Sequence, residues 1–152
     1  MKNLLLFASF LLTISCLYSQ NPKDFTFALD HTALSVKDVN TSAKFYAEVL
    51  GLEEMEDAAK NPGIRWFKLR DGRQLHLIQA DEKDIITTKT IHFSLAVKPF
   101  DKFVDYLRAQ KIPFYDWLGL PGKIAKRADG IQQVYVQDPD GYWIEINDVK
   151  RK

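Results

Sequence analysis

The chain has a single cysteine, Cys16, and it lies in the apolar N-terminal segment rather than in the body of the sequence. The rest of the chain therefore has no disulfide framework and no cysteine metal ligand. Neither sign of charge is in excess, with 21 Lys+Arg against 20 Asp+Glu. This balance excludes the strongly basic surface typical of nucleic-acid-binding domains, so we expect a small-molecule partner and no nucleic acid.

The sequence also lacks a long apolar run. The N-terminal run over residues 4–14 is too short to span a bilayer comfortably. A lysine before this run and small polar residues after it are typical of an export signal. We therefore predict a signal peptide over residues 1–19, a mature chain that begins near Gln20 without a transmembrane segment, and a secreted or periplasmic protein. The alternative is a loosely matching lipobox, which would make this a lipoprotein tethered at Cys16.

The remaining sequence contains two copies of one pattern. The segment HTALSVK at 31–37 reappears at 92–98 as HFSLAVK, with His, Leu, Val and Lys in register. Each copy alternates like a half-buried strand and precedes a segment of helical period, which predicts helices over 41–50 and 100–110. Asp-Gly pairs at 71–72 and 140–141 predict hairpins between strands at 64–70 and 74–80 and between strands at 131–137 and 142–147. Each half thus contains a strand, a helix and two or three strands.

All three histidines occupy equivalent positions in this repeat, and Glu145 fills the fourth. His31 and His92 open the first strand of each copy, while His76 and Glu145 share the hairpin position. Small side chains share the strand face of each opening histidine, and bulky apolar residues occupy the opposite face. If the repeats curl into a shared cup, the four residues meet there. Three imidazoles and one carboxylate suit one divalent ion, so we predict that these residues bind Zn, Ni, Co, Mn or Fe.

Two further features are candidates for a substrate pocket. The glycine-containing segment 118–130 carries Lys123, Lys126 and Arg127, and a mobile basic loop of this kind would close over an anionic substrate. An ordinary solvated loop explains the same charges equally well. Trp143 shares a strand face with Glu145, where it would either stack on a substrate or pack in the wall of the cup.

Several of these segments together resemble the vicinal oxygen chelate superfamily, and within it glyoxalase I-like proteins. They are the stretches 31–52 and 74–79, the second repeat that begins at His92, and the sequence QDPDGYWIE at 137–145. The resemblance implies an α+β fold in which two βαβββ modules, about 27–81 and 88–149 of a domain over 27–149, form an open half-barrel cup around a metal site. It also implies that a homodimer is possible.

The resemblance allows more than one activity. The leading expectation is a metal-dependent lyase or isomerase, similar to lactoylglutathione lyase, that acts on a small oxygenated substrate chelated to the metal and uses Glu145 as the base. Glyoxalase I proper usually carries glutamate where this chain has His76. One alternative is a non-haem Fe(II) ring-cleaving dioxygenase, for which His31, His92 and Glu145 would form the facial triad. Another is a metal-free protein that binds a small molecule such as an antibiotic.

The export signal gives the first testable prediction. Mass spectrometry of the protein isolated from its native host should find an N-terminus at or near Gln20, because signal peptidases cut after small residues such as Ser19. A lipid-modified N-terminal Cys16 would support the lipoprotein alternative. Recovery of full-length chains that begin with Met1 in the cytoplasm would contradict export.

Overall fold

Each half of the chain folds into one strand, one helix and three further strands in the computed structural model, which describes residues 22–58 and 60–150. The first half contains β1 (His31–Val36), α1 (Val39–Glu48), β2 (Glu53–Met55), β3 (Ile64–Lys68) and β4 (Gln74–Gln79). The second contains β5 (His92–Ala96), α2 (Phe100–Ala109), β6 (Ala125–Lys126), β7 (Gln132–Gln137) and β8 (Trp143–Asn147). The predicted α+β fold with two βαβββ modules is confirmed. The predicted signal peptide and Cys16 lie outside the described residues.

The two modules form two open four-stranded sheets of the same topology, which fit a half-barrel cup. Their strand orders are β1-β4-β3-β2 and β5-β8-β7-β6. In each sheet the first strand pairs in parallel with the last, and the other pairs are antiparallel. The short edge strands β2 and β6 were not predicted individually, because two or three residues carry too little periodicity. Strand β6 lies within the predicted basic loop at 118–130.

Both hairpins turn through a loop with a left-handed glycine. In the second hairpin, the amide of Gly141 donates to the carbonyl of Asp138 at 3.0 Å, and Gly141 has a φ of +92°. This geometry is a three-residue loop rather than the two-residue turn that Asp-Gly often forms. The loop length places Tyr135 opposite Glu145. The first hairpin has the same loop, with Gly72 at a φ of +88°.

One hydrophobic core joins the two modules. It receives alternate residues of the strands and the inward faces of both helices: Leu34, Val36, Val39, Ala43, Tyr46, Phe67, Leu75, Leu77, Phe100, Val104, Leu107, Phe114, Val134, Val136, Ile144 and Ile146. The helix-covered faces of both sheets therefore share this core, and the opposite face of each sheet is turned away from it. No helix within the described ranges is long and apolar enough to cross a membrane.

The turn of the second hairpin contacts the first module. The buried hydroxyl of Tyr46 on α1 donates to the carboxylate of Asp138 at 2.8 Å. The carboxylate of Asp140 accepts from the Ser42 hydroxyl at 2.6 Å and from the Lys37 amide at 2.8 Å. The Asp-Pro-Asp-Gly segment thus connects the modules through one buried, one partly buried and one exposed hydrogen bond.

Loss of the Tyr46 hydroxyl should destabilise the whole domain. Tyr46→Phe leaves a buried oxygen of Asp138 without its donor, which should lower the free energy of unfolding by about 1.5–3 kcal/mol in urea denaturation. Tyr106→Phe is the matched control, since the Tyr106 hydroxyl donates to the Glu48 carbonyl at an exposed position. Equal losses in both variants would show that the Tyr46 contact does not hold the modules together.

Candidate metal centre

The first module brings two of the predicted ligands together. The rings of His31 on β1 and His76 on β4 are stacked, with centroids 4.4 Å apart. The Trp66 ring on β3 stacks on His76 at 4.3 Å. Because β1 and β3 flank β4, His76 lies between its two neighbours in a row of three rings.

Polar contacts set the orientation of these two imidazoles. His31 Nδ1 lies 2.7 Å from the carboxylate of Asp30, and His76 Nε2 lies 2.8 Å from the amide oxygen of Gln74. Burial lowers the pKa of His76, and the neighbouring His31 lowers it further. His76 therefore favours the neutral form, which is the form that binds metals. A carboxylate on the second nitrogen, as on His31, is the usual partner of a metal-binding histidine.

The second module brings the other two predicted ligands together. His92 Nε2 lies 3.4 Å from a carboxylate oxygen of Glu145. The other ring nitrogen, Nδ1, lies 2.9 Å from the carbonyl of Lys89. Since a carbonyl only accepts, Nδ1 carries a proton, and in the neutral ring the lone pair of Nε2 faces the carboxylate. Neighbouring ligands of a tetrahedral metal with bonds of about 2.0–2.1 Å lie on the order of 3.4 Å apart, so this pair fits a metal ion.

Glu145 is a buried carboxylate surrounded by donors. Only 7% of its side-chain surface is exposed. It accepts from the Tyr135 hydroxyl at 2.8 Å, from the Asn147 amide at 2.7 Å and from the Ser94 hydroxyl at 3.2 Å. Burial raises the pKa of Glu145, but these hydrogen bonds and His92 outweigh it, so the pKa lies below its ordinary value. Glu145 is therefore held as an anion.

A lysine lies beside this pair. The Lys89 ammonium is 4.3 Å from the ring centroid of Trp143, 4.7 Å from that of Tyr135 and 5.9 Å from that of Trp117. It also donates a hydrogen bond to the Asp116 carbonyl. Burial lowers the pKa of Lys89. The three rings, Trp117, Tyr135 and Trp143, form what we call the aromatic box.

The residues predicted for a substrate pocket divide into two groups. Trp143 is part of the aromatic box. Arg127 lies 3.6 Å from Glu145 and also pairs with Asp129 at 2.7 Å. Lys123 and Lys126 are exposed, and Lys126 is on the edge strand β6.

The structure brings the four predicted ligands together as two pairs rather than as one group. Within residues 22–58 and 60–150, no three His, Cys, Asp or Glu side chains lie close enough to hold a metal ion. The reason is the shared core: His31 and His76 alternate with core residues on their strands, as Glu145 does, so both pairs lie on faces turned away from that core. A shared site for all four remains a prediction.

Sequence reasoning gave no functional role to four polar neighbours of the second pair. Ser94 and Asn147 lie two residues from His92 and Glu145, so strand alternation alone places them on the same face. Tyr135 requires the hairpin register as well. Lys89 lies outside the strands, and no periodic pattern points to it.

Comparisons with known proteins identify the family and the fold of the chain. The family model for the Glyoxalase/Bleomycin resistance protein/Dioxygenase superfamily matches residues 28–146, more than half of the chain. Uncharacterized protein YwbC of Bacillus subtilis (strain 168) is 29% identical over 125 residues, which cover 78% of this chain and 94% of that protein.

Two solved structures show the same fold. Oxidase ChaP-H2 matches with a TM-score of 0.67 and 25% identity, over 83% of this chain and 96% of its own. A lactoylglutathione lyase from Agrobacterium tumefaciens matches with a TM-score of 0.61 and 24% identity, over 79% of this chain and 92% of its own. At that identity the second likeness bears on the fold alone.

Proposed function

Because the chain belongs to the Glyoxalase/Bleomycin resistance protein/Dioxygenase superfamily, we propose that it is a metal-dependent, glyoxalase I-like lyase or isomerase. The observation that carries the proposal is the pair formed by His92 Nε2 and Glu145, 3.4 Å apart. Two acceptors at this distance repel one another unless a proton or a metal ion lies between them. His31, His76, His92 and Glu145 would together hold one divalent ion.

A homodimer would bring the two ligand pairs to one site. Since the pairs lie on the sheet faces opposite the shared core, each chain would supply two half-sites, and the His31–His76 pair of one copy would face the His92–Glu145 pair of the other. Strands β1 and β5, which begin with His31 and His92, are edge strands of their sheets, and an edge strand can pair with an edge of a second copy. The segment before β1 also exposes Phe25 by 53% and Phe27 by 91%, an apolar surface that association would cover.

Mixing two inactive variants tests the composite site. His31→Ala/His76→Ala and His92→Ala/Glu145→Ala should each lose bound metal in elemental analysis, because each removes half of the donors. After the two are unfolded and refolded together, a mixed dimer contains one cup made of both intact halves. Metal should then return to about one cup in each mixed dimer, with bound metal measured after separation of the dimers by tag.

The same experiment separates the alternatives. If both variants keep bound metal at the wild-type level, the four residues are not the metal ligands. Variants that lose metal but never regain it on mixing would place all four ligands in one chain. A wild-type protein that binds no metal in any refolding condition would favour the metal-free binding protein instead.

The proposed reaction needs a divalent metal ion and a base. A bound divalent ion supplies Lewis acidity toward two neighbouring substrate oxygens. Glu145 would then move a proton between adjacent carbon atoms, and its low pKa keeps it in the carboxylate form that accepts a proton. The donors on Glu145 oppose this role, because Tyr135 and Asn147 stabilise the anion and lower its basicity. Ligand and base are therefore separable roles, and substitution distinguishes them.

Replacement of Glu145 by its amide gives this distinction. Glu145→Gln keeps the size and one oxygen but removes the basicity, so turnover should fall by about 10²–10⁴-fold while part of the metal remains bound. Rates should be measured on whichever substrate a screen with the metal-loaded protein finds, with bound metal quantified in parallel. A Glu145→Gln protein that holds metal and turns over at the wild-type rate would remove Glu145 as the base.

His76→Glu is the companion variant. It restores the glutamate that glyoxalase I usually carries, so metal should remain bound and activity toward methylglyoxal hemithioacetal should rise if His76 excludes that substrate.

The predicted export also points to another substrate, because glutathione is a cytosolic thiol. A secreted or periplasmic location remains part of this proposal.

A dioxygenase is the second candidate function. Oxidase ChaP-H2 shares 25% of its residues with this chain over most of both lengths. His31, His92 and Glu145 supply the two imidazoles and one carboxylate of the Fe(II) facial triad, with His76 as an additional ligand. Oxygen consumption that requires reduced iron and is absent with zinc would favour this candidate over the lyase.

A further inference from the structure

We propose that Lys89 and the aromatic box bind an aromatic carboxylate, with the ammonium on the carboxylate and the box against the ring. The inference rests on the proposed function for the role of this ligand as substrate. It would narrow the substrate of the site from a small oxygenated molecule to a flat anion. Binding itself requires no metal.

Within the described ranges, Lys89 lacks the carboxylate ion pair that Arg127 has near the site. Arg127 pairs with Asp129 and lies near Glu145. Among the residues that the structure describes, Lys89 forms no ion pair, and its one hydrogen bond goes to the Asp116 carbonyl. An ammonium has three donors, so two remain for a ligand.

The neighbouring carboxylate does not neutralise this lysine. Glu145 already lies 3.6 Å from Arg127 and accepts from three hydrogen-bond donors. Lys89 therefore presents positive charge beside the His92–Glu145 pair. A ligand that matches this charge carries an anionic group, and a carboxylate forms charge-assisted hydrogen bonds with an ammonium.

Apolar side chains near Lys89 are partly exposed, so a planar apolar part of a ligand could pack against them. Trp117 keeps 44% of its surface exposed, and its neighbours in the same turn, Leu118 and Leu120, are 81% and 51% exposed. The Lys89 ammonium donates a hydrogen bond to the carbonyl of Asp116, which begins this turn. A planar ring would cover this apolar surface and stack on an indole.

The aromatic box lies close to the proposed metal ligands His92 and Glu145, so it would influence which substrate binds there. The His92 ring lies 5.4 Å from the Tyr135 ring and 6.1 Å from the Trp117 ring, measured between centroids. Tyr135 also donates to Glu145. A ligand whose carboxylate is held by Lys89 therefore has its ring beside the proposed metal-binding pair.

Tryptophan signals of the metal-free protein provide the test. The indole N–H signals of Trp117 and Trp143 are assigned by Trp→Phe variants and followed by NMR during titration after treatment with a chelator. The probes are benzoate, benzyl alcohol, which has the ring without the charge, and acetate, which has the charge without the ring. Benzoate should shift both signals saturably, and the other two probes should bind at least about tenfold more weakly, because each lacks one of the two contacts.

Variants of Lys89 complete the test. Lys89→Met keeps an unbranched stem over the rings but removes the charge, and it should weaken benzoate binding about tenfold or more. Lys89→Arg should retain most of the affinity. Lys102→Met removes an exposed lysine on α2 and should bind benzoate as the wild type does.

Several outcomes would overturn the inference. They are equal affinity of the wild type for benzoate and benzyl alcohol, no saturable shift with benzoate, or unchanged benzoate binding by Lys89→Met. If Lys89→Met fails to fold, the comparison of the three probes on the wild type decides alone. Loss of the metal site in the mixing experiment leaves this result standing, and failure of benzoate binding leaves the metal site standing, so the two proposals fail separately.

Discussion

The shared hydrophobic core determines where chemistry is possible in this molecule. Both sheets bury their helix-covered faces in one core, so bulky apolar residues occupy alternate strand positions and the polar positions between them face away from that core. The two pairs of candidate ligands lie on these opposite faces, one on each sheet. The same packing that stabilises the chain therefore keeps the two pairs apart within it. This separation is the reason for the proposal that a second copy completes the four-ligand site.

The buried carboxylate of Glu145 shows how the second sheet supports a charge away from water. An isolated carboxylate with 7% of its side chain exposed would take up a proton rather than remain charged. Donors from three strands prevent this: Ser94 on β5, Tyr135 on β7, and Asn147 on β8 beside Glu145 itself. The free energy of desolvation is thus offset by hydrogen bonds that hold the side chain in one position. Such a carboxylate is better prepared to bind a cation than to leave it.

The sequence repeat was sufficient to predict the modules, because alternation along a strand reports which residues share a face, whereas the metal site of His31, His76, His92 and Glu145 remains a prediction. Alternation does not report which faces pack together, so the separation of the pairs could not be predicted. Alternation could not predict the register of the second hairpin either. A two-residue loop at Asp140 would place Ile146 opposite Tyr135, whereas the three-residue loop places Glu145 there. Lys89 depends on a long-range contact with the turn at Asp116, which leaves no local pattern.

The two halves of the repeat hold their first histidine in different ways, and the difference gives the site its polarity. His31 is held by the carboxylate of Asp30, which brings a negative charge. His92 is held by a backbone carbonyl, that of Lys89, whose side chain brings a positive charge to the same place. The two copies therefore share the position of the histidine and differ in the residues just before it. In a cup built from both halves, Asp30 would bring a negative charge to one side and Lys89 a positive charge to the other, so an anionic ligand would enter with its carboxylate toward Lys89.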